Sequence, residues 1–352
     1  MGLNKGEWSE FLAVLDLLEN PNIKIIDSNF KIISDEIFTL KNIRLHTSSN
    51  IYTLTRTDSQ VEVYNDNSLR YSIDIDEICE NKKLLLKKIK SNVTKSGAFD
   101  IPEVHELISK LNGSSIIKSQ SNSKSDLDTD MQDNLIHQLV QLKYSIKSQL
   151  GSPATILNAS NKTNIRYKVL GLKQEDIGII NNINSKQKLK DRLNKINELG
   201  GKICFDSIVD KVFENNLKMI DTAMPDIVAD VCLRSYSSEN KNLLNLFKNS
   251  NLLKEPLIAR KKLAELLKGF SFDIKPGTLW NGCYDVNGGI MIISKNGDLF
   301  VLDLVYHKQE VENYLIQNAK LDSPSSTRYK MLELYEENNN IYFTLNLQIR
   351  FI

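Results

Sequence analysis

The chain has 352 residues, of which 41% are hydrophobic and 25% charged, and 45 Lys and Arg residues against 44 Asp and Glu residues leave a formal net charge of +1. This composition is typical of a globular protein with a substantial core, and the net charge neither requires nor excludes a polyanionic partner. No run approaches the roughly 18 apolar residues of a membrane span, so no membrane association is expected.

The cysteines and the N-terminus indicate the compartment. The four cysteines lie far apart and at no zinc-site spacing to a histidine, so we expect unpaired thiols in a reducing environment. Near the N-terminus, Glu7, Glu10 and Asp16 interrupt the apolar run and exclude the core of a signal peptide. The sequence therefore predicts a cytoplasmic protein.

The predicted elements change character twice along the chain. An amphipathic helix over residues 6–19 ends before Pro21 and is followed by short β-like runs, two helices and further β-like pieces, including SSIIKSQ at 114–120. Residues 171–269 are mainly helical, and strands return from Phe270 onward. The pattern predicts an α+β fold with three consecutive regions: 1–170, 171–269 and 270–352.

Several common chemistries lack their motifs. The chain has no Gly-rich phosphate loop, no HExxH and no GxSxG, and its four histidines have no motif spacing. A lone histidine is more often structural or exposed than catalytic, so no histidine is a candidate.

The N-terminal helix carries two glutamates on its apolar side. At 100° per residue Glu7 and Glu10 fall within the apolar arc, whereas Ser9, Ala13 and Asp16 form the polar arc. A buried carboxylate has to be paired, hydrogen-bonded or metal-bound, because unpaired burial of charge costs several kcal/mol. A first-turn glutamate also stabilises a helix N-terminus, which we favour for Glu7, so Glu10 is the functional candidate.

An acidic stretch, KSDLDTDMQD, occupies residues 124–133. If this stretch is extended, Asp126, Asp128 and Asp130 share one face. Acidic strands of this kind are commonly solvated hairpin edges, so the pattern alone does not establish a metal site.

A second strand-like stretch, LKYSIKSQLG, follows at 142–151. Alternation places Leu142, Tyr144 and Ile146 on one face, and Lys143, Ser145, Lys147 and Gln149 on the other. The polar face is either a solvated edge or part of a site. An acidic strand followed by a lysine-bearing strand is the layout of Mg²⁺-dependent PD-(D/E)XK phosphodiesterases, in which oxygen ligands hold the metal and the lysine orients or deprotonates water.

Longer stretches carry a more specific resemblance. NKGEWSE at 4–10, YSIKSQLGSPATILNAS at 144–160, MPDIVAD at 224–230, YDVNGGIMIISKNGD at 284–298 and AKLDSPSSTRYK at 319–330 resemble the HpaII-type type II restriction endonucleases, in the same order along the chain. The resemblance implies a Mg²⁺-dependent enzyme that cuts double-stranded DNA at a short, CCGG-like sequence and works beside a cognate methyltransferase. It also implies a PD-(D/E)XK-like core, a mixed sheet flanked by helices, with a helical insertion and a β-rich C-terminal region.

The resemblance also implies roles for individual residues. Asp126 corresponds to the principal metal ligand and Lys147 to the catalytic lysine, while Ser145 stands where the commoner motif has an acid. Glu10 is expected to supply the missing carboxylate, because KGEWSE resembles the helix-borne Gly-x-x-x-Glu of archaeal Holliday-junction resolvases. The backbone carbonyl of Ile146 would complete the metal ligands, and Gln149 would provide a neutral oxygen or contact phosphate.

Two loops of the family-like stretches contain residue types that bind phosphates or base edges. The candidates are Asn158, Ser160, Lys162, Asn164 and Arg166 in the first loop, and Ser325, Thr327, Arg328 and Lys330 in the second. Ordinary turn chemistry explains Ser, Asn and Pro equally well, so both interpretations remain open.

Two other functions are compatible with the sequence. The serine at 145 allows a catalytically inactive sequence-specific DNA-binding protein, and the likeness to resolvases allows a structure-selective nuclease. The chain could act as a monomer or as a homodimer.

Overall fold

The computed structural model describes residues 2–47, 50–92, 97–113, 124–238 and 240–352. The chain divides into two compact units, Met1–Ala154 with Tyr284–Tyr314 and Thr155–Cys283 with Leu315–Ile352. The three consecutive regions expected from the sequence do not follow these boundaries and stay a prediction. The β-like stretch SSIIKSQ lies outside the described residues.

Ten α-helices occur in the described ranges. They are α1 (Lys5–Glu19), α2 (Ile75–Ser91), α3 (His105–Asn112), α4 (Gln174–Asn181), α5 (Lys188–Glu198), α6 (Lys211–Ile220), α7 (Met224–Ser237), α8 (Leu243–Lys248), α9 (Pro256–Phe272) and α10 (Lys308–Asn318).

Strands are found in three stretches of the chain. The strands of the N-terminal third are β1 (Ile25–Ile26), β2 (Ile32–Ser34), β3 (Phe38–His46), β4 (Ile51–Arg56), β5 (Gln60–Asn65) and β6 (Ser68–Asp74). The central strands are β7 (Leu127–Asp133), β8 (Gln138–Ser148), β9 (Thr155–Leu157), β10 (Asn164–Leu170) and β11 (Lys202–Ile208). The C-terminal strands are β12 (Gly289–Ile293), β13 (Leu299–Asp303), β14 (Ala319–Leu321), β15 (Tyr335–Glu337), β16 (Asn340–Asn346) and β17 (Ile349–Phe351).

The first unit is built on a large mixed sheet. Ten strands of the described chain pair in the order β2-β1-β13-β12-β8-β7-β3-β4-β5-β6. Strand β8 lies inside this sheet, parallel to β12 and antiparallel to β7. Helix α1 packs on α2 and contacts β3, β8 and β12, and α3 contacts β4 and β6. The expected α+β fold with a mixed sheet flanked by helices is therefore confirmed.

Burial explains the placement of β8. Its residues Leu142, Tyr144 and Ile146 are buried in one apolar cluster with Trp8 and Phe11 of α1. Burial of side chains of this size contributes about 1.5–3 kcal/mol each, and alternation then turns the intervening residues to the other face of the sheet. The predicted apolar face of this strand is confirmed, and a solvated edge is excluded because both of its edges are paired.

The second unit contains two smaller sheets and the helices α4 to α9. The sheets have the strand orders β11-β10-β16-β15 and β14-β17-β9 in the portion of the chain that is described. Tyr167 of β10 and Phe343 of β16 stack with ring centroids 5.2 Å apart. No helix among the described residues is both long enough and apolar enough to cross a membrane.

Candidate active site

Three side chains form one hydrogen-bonded network where the start of β7 lies beside the C-terminal end of β8. Asp126 directly precedes β7, and its Oδ2 accepts from the Ile146 backbone N–H at 2.7 Å and from the Ser145 hydroxyl at 3.2 Å. The Lys147 ammonium donates to Ser145 Oγ at 2.6 Å and lies 3.8 Å from Asp126 Oδ2. The serine thus connects the aspartate to the lysine.

Strand register produces this arrangement. Leu127 of β7 is paired with Tyr144 of β8, and the Asp126 N–H donates to the Tyr144 carbonyl at 2.9 Å. Asp126 therefore lies opposite Ser145, at the position where the antiparallel ladder ends. Because alternate residues of a strand share a face, Lys147 follows Ser145 on the same side.

Glu10 belongs to the same electrostatic environment. Burial, together with the nearby charge of Asp126, raises the pKa of the Glu10 carboxyl from 4.5 to about 8, although the Lys147 ammonium acts in the opposite direction. Charges act on one another in this way only across short, poorly solvated distances. The structure therefore brings the N-terminal helix and the strand pair together, as expected from the position of Glu10 in the apolar arc.

Glu7 has a different role. Its carboxylate accepts from the Asn4 N–H at 2.8 Å, and the Asn4 side chain accepts from the Glu7 N–H at 3.1 Å. This reciprocal pair is a capping box that satisfies N–H groups left free at a helix start. The preference for an N-terminal stabilising role for Glu7 is confirmed.

The polar arc of α1 is more buried than its composition indicates. Ser9 and Ala13 are both fully buried. The Ser9 hydroxyl donates to the Lys5 carbonyl at 2.7 Å, and its oxygen is hydrogen-bonded to Ser148 Oγ of β8 at 2.8 Å. A small side chain and a satisfied hydroxyl let the helix approach the sheet on this side as well, which a helical wheel does not reveal.

Ile146 and Gln149 occupy different environments. The Ile146 carbonyl accepts from the Lys147 ammonium at 3.1 Å, so this oxygen faces the network. Gln149 is exposed just beyond the end of β8, and its backbone N–H donates to the Ile293 carbonyl at 2.9 Å.

The donor set fits a hard divalent cation. Mg²⁺ prefers oxygen ligands such as the carboxyl groups of Asp126 and Glu10 and the Ile146 carbonyl. The charge of Asp126 disfavours ionisation of Glu10, and a bound cation would remove this repulsion. No group of three His, Cys, Asp or Glu side chains suited to a metal occurs in the described part of the chain, so this set relies on a backbone oxygen.

Asp128 and Asp130 of the acidic stretch bind Arg44, a residue that no sequence pattern indicated. Arg44 of β3 forms an ion pair with Asp128 at 2.8 Å and a second one with Asp130. Burial alone would raise the pKa of Asp128, but hydrogen bonds from Gln141 and Arg44 lower it. Asp128 is buried and is not part of a solvated edge. The register of β3 against β7 creates these pairs, and no local pattern signals it.

Several candidates of the first loop already have partners. The Ser160 hydroxyl accepts from the Lys162 N–H at 3.2 Å in a capped turn, and the Lys162 ammonium pairs with Asp210 at 2.8 Å. The Asn164 side chain accepts from the Asn346 amide at 2.7 Å.

Arg166 is held even more firmly in the second unit. It forms ion pairs with Asp206 at 2.6 Å and Glu337 at 2.9 Å, and its guanidinium lies 4.8 Å from the centroid of the Tyr342 ring. These contacts favour a structural role in the β11-β10-β16 sheet. Asn158, by contrast, is exposed.

The second loop is more open and lies against the first. Ser325 Oγ accepts from the Arg328 N–H at 3.2 Å in a local turn, and Thr327, Arg328 and Lys330 are exposed. The hydroxyl of Tyr329 donates to the Ala159 carbonyl at 3.0 Å. Two loops that lie 170 residues apart in sequence are thereby joined into one surface. No sequence pattern indicated Tyr329, because its hydroxyl meets the Ala159 carbonyl only in the folded chain.

Comparison with known proteins gives a consistent result. The sequence model of the HpaII restriction endonuclease family matches residues 4–351. The chain is 33% identical over 358 residues to the type II restriction enzyme HpaII of Haemophilus parainfluenzae, and the alignment covers 99% of this chain and 98% of that enzyme. No solved structure matches the chain.

Proposed function

The chain belongs to the HpaII restriction endonuclease family and is a type II restriction endonuclease, and we propose that it cuts double-stranded DNA at a short CCGG-like sequence with Mg²⁺. The observation that carries this proposal is the Asp126–Ser145–Lys147 network beside Glu10. We further propose that it acts in the cytoplasm beside a cognate methyltransferase.

The core is proposed to be of the PD-(D/E)XK type. The supporting features are an aspartate before β7, a lysine on the adjacent antiparallel β8, a parallel neighbour β12, and a glutamate on the helix that packs against these strands. Under the same proposal, residues 171–269 are a helical insertion and the β-rich residues 270–352 contribute contacts to DNA.

Mg²⁺ would be held by Asp126, Glu10 and the Ile146 carbonyl. When bound, it supplies polarisation of the phosphate and a lower pKa of water. With Glu10 ionised, the two carboxylates bring two negative charges to the site and Lys147 brings one positive charge. The burial that raises the pKa of Glu10 also strengthens electrostatic interactions inside the site.

Lys147 is the group that acts on the reacting water or phosphate. Its ammonium is held by the Ser145 hydroxyl at 2.6 Å and by the Ile146 carbonyl at 3.1 Å, so it is oriented before substrate arrives. Ser145 therefore orients the lysine and contributes no charge. Gln149, exposed beyond the strand, is available to contact a phosphate.

DNA recognition is assigned to the surface formed by the two joined loops. Exposed Asn158, Thr327, Arg328 and Lys330 can reach phosphates or base edges, and arginine is the commonest reader of guanine. Lys162 and Arg166 would first have to release their acidic partners.

The test is digestion of unmethylated phage DNA with purified protein in the presence of Mg²⁺. Discrete fragments whose ends share one sequence, together with protection of methylated DNA, are the expected result. Intact DNA under all divalent metals despite tight binding would instead indicate an inactive DNA-binding protein. A smear, or preferential cutting of branched DNA, would indicate a structure-selective nuclease. Sedimentation with and without DNA distinguishes a monomer from a homodimer.

A further inference from the structure

The segment 284–288, directly before β12, contacts the chain that enters β7 and a residue of β8. Asp285 Oδ2 accepts from the backbone N–H groups of Lys124 at 3.1 Å and Ser125 at 3.2 Å. Its other oxygen, Oδ1, accepts from the Lys143 ammonium at 3.1 Å. One carboxylate therefore ties the chain entering β7 to a residue of β8.

The position of the two N–H groups relates Asp285 to the metal ligand. Ser125 immediately precedes Asp126, whose own N–H donates to the Tyr144 carbonyl. Hydrogen bonds to an ionised carboxylate are stronger than those between neutral groups. Asp285 therefore restrains the backbone of the two residues before Asp126, and the Tyr144 carbonyl restrains the backbone of Asp126 itself.

The residues that follow Asp285 hold its segment against β8. Asn287 Oδ1 accepts from the Lys143 N–H at 2.7 Å, and its Nδ2 donates to the Gln141 carbonyl at 3.1 Å. At Gly288 a Cβ would lie 2.7 Å from the Tyr144 ring, which leaves no room for a side chain. Asn287 and Gly288 thus pack closely against β8, along the same edge with which β12 pairs.

We infer that Asp285 is a positioning residue of the cleavage site, whose carboxylate fixes the backbone that presents Asp126 to the metal. This inference rests on the proposed function. Loss of the Asp285 carboxylate leaves two N–H groups next to Asp126 without this acceptor and widens the range of positions that the Asp126 carboxylate samples. Ligand geometry has to be held within about 0.5 Å for full activity, so metal binding and the rate of cleavage both fall.

The competing explanation is that Asp285 only neutralises Lys143. Two variants separate these explanations. Asp285→Ala removes the acceptor of the two backbone N–H groups and also the partner of the Lys143 ammonium. The double variant Asp285→Ala with Lys143→Met also removes the lysine charge, so that no charge is left to neutralise. If Asp285 positions the backbone, the double variant should cleave DNA as slowly as Asp285→Ala. If Asp285 only neutralises Lys143, the double variant should recover the cleavage rate of wild type.

Asp133 offers a matched control at the other end of β7. Its Oδ1 also accepts two backbone N–H groups, those of Leu135 at 3.0 Å and Ile136 at 3.3 Å. It lies seven residues from Asp126, roughly 20 Å along an extended strand. Asp133→Asn therefore measures the effect of weakening a similar cap without disturbing the site.

The experiment compares the full-length variants by kcat and KM for DNA cleavage, by Mn²⁺ affinity in calorimetric titration, by DNA affinity without divalent metal, and by Tm. For Asp285→Ala we expect kcat to fall at least tenfold and Mn²⁺ affinity at least fivefold, with KM and DNA affinity within twofold of wild type. Asp285→Asn retains one acceptor oxygen and should show a smaller loss, which keeps the test valid if Asp285→Ala does not fold. Asp133→Asn should lower Tm and leave kcat and Mn²⁺ affinity within twofold.

Three results would overturn the inference. They are wild-type kcat and Mn²⁺ affinity in folded Asp285→Ala, recovery in the double variant, and an equal loss of kcat in Asp133→Asn. A wild-type protein that cuts no duplex DNA with any divalent metal refutes the proposed function instead, and the Mn²⁺ titrations still report whether Asp285 shapes the site.

Discussion

The ammonium nitrogen of Lys147 lies 2.6 Å from the hydroxyl oxygen of Ser145, two residues earlier on the same strand. A neutral residue thus holds the lysine at the position where the commoner nuclease motif has an acid. The carboxyl group missing at this position is available nearby from Glu10 of α1, which shares the site with Asp126.

Replacement of Lys147 by alanine should abolish cleavage and preserve DNA binding. A positioned acid or base contributes about 10²–10⁴-fold to rate, so kcat should fall at least about a hundredfold. Asp126→Ala should have a similar effect because it removes the proposed principal metal ligand. Cleavage assays, paired with DNA affinity measured without divalent metal, check both variants. Wild-type activity in either variant would contradict the assignment.

Replacement of Ser145 by alanine should slow cleavage less than loss of the lysine. The Lys147 ammonium would keep the Ile146 carbonyl and Asp126 as partners. We therefore expect roughly a tenfold fall in kcat, at the low end of the roughly 10–100-fold typical for loss of a supporting partner at a metal site. Single-turnover kinetics of Ser145→Ala and Lys147→Ala side by side make this comparison. A loss as large as that of Lys147→Ala would mean that the hydroxyl itself takes part in the chemistry.

Glu10 should make the stability of the metal-free protein depend on pH. Because the pKa of its carboxyl is raised from 4.5 to about 8 in the folded state, its favourable contribution is complete below pH 4.5 and is lost as the pH rises through about 8. Between these values this single group lowers the free energy of unfolding by up to about 1.4 kcal/mol per pH unit.

Glu10→Gln removes this ionisation and should flatten the dependence. Denaturant unfolding of both proteins with EDTA, at pH 5 and pH 8, measures the difference. The variant should be the more stable protein at pH 8, and Mg²⁺ should stabilise wild type more than the variant. Parallel pH curves for the two proteins would show that Glu10 is not desolvated in solution.

Arg328→Ala and Arg166→Ala should affect different properties. Arg328 is exposed and stacks only loosely, at 5.4 Å from the Tyr329 ring centroid, so its loss should leave Tm unchanged and weaken specific DNA binding by about 1–3 kcal/mol. Arg166 bridges Asp206 and Glu337, so its loss should lower Tm. Fluorescence anisotropy with specific and random duplexes, together with thermal unfolding, separates the two effects. An Arg328→Ala variant that binds both duplexes as wild type does would exclude it as a base reader.

Local patterns were sufficient for several parts of this protein. The alternation of β8 predicted that Leu142, Tyr144 and Ile146 are buried, although Ser145 on the polar face is buried as well. The position of Glu10 in an apolar arc predicted a desolvated carboxylate. These features depend on neighbours a few residues apart, whose geometry the helix and strand repeats determine.

By itself the sequence determined the family, the α+β class and the residue types of the candidate site. The order of family-like stretches and the local periodicity of apolar residues are both properties of the chain alone. Only the tertiary structure decided that β8 is an interior strand and that Arg44 pairs with Asp128 and Asp130. It also decided that Tyr329 joins two distant loops and that Asp285 accepts from the N–H of Ser125, the residue before Asp126. Each of these depends on strand register or on contacts between residues far apart in sequence, which packing of the whole chain sets and no local pattern encodes.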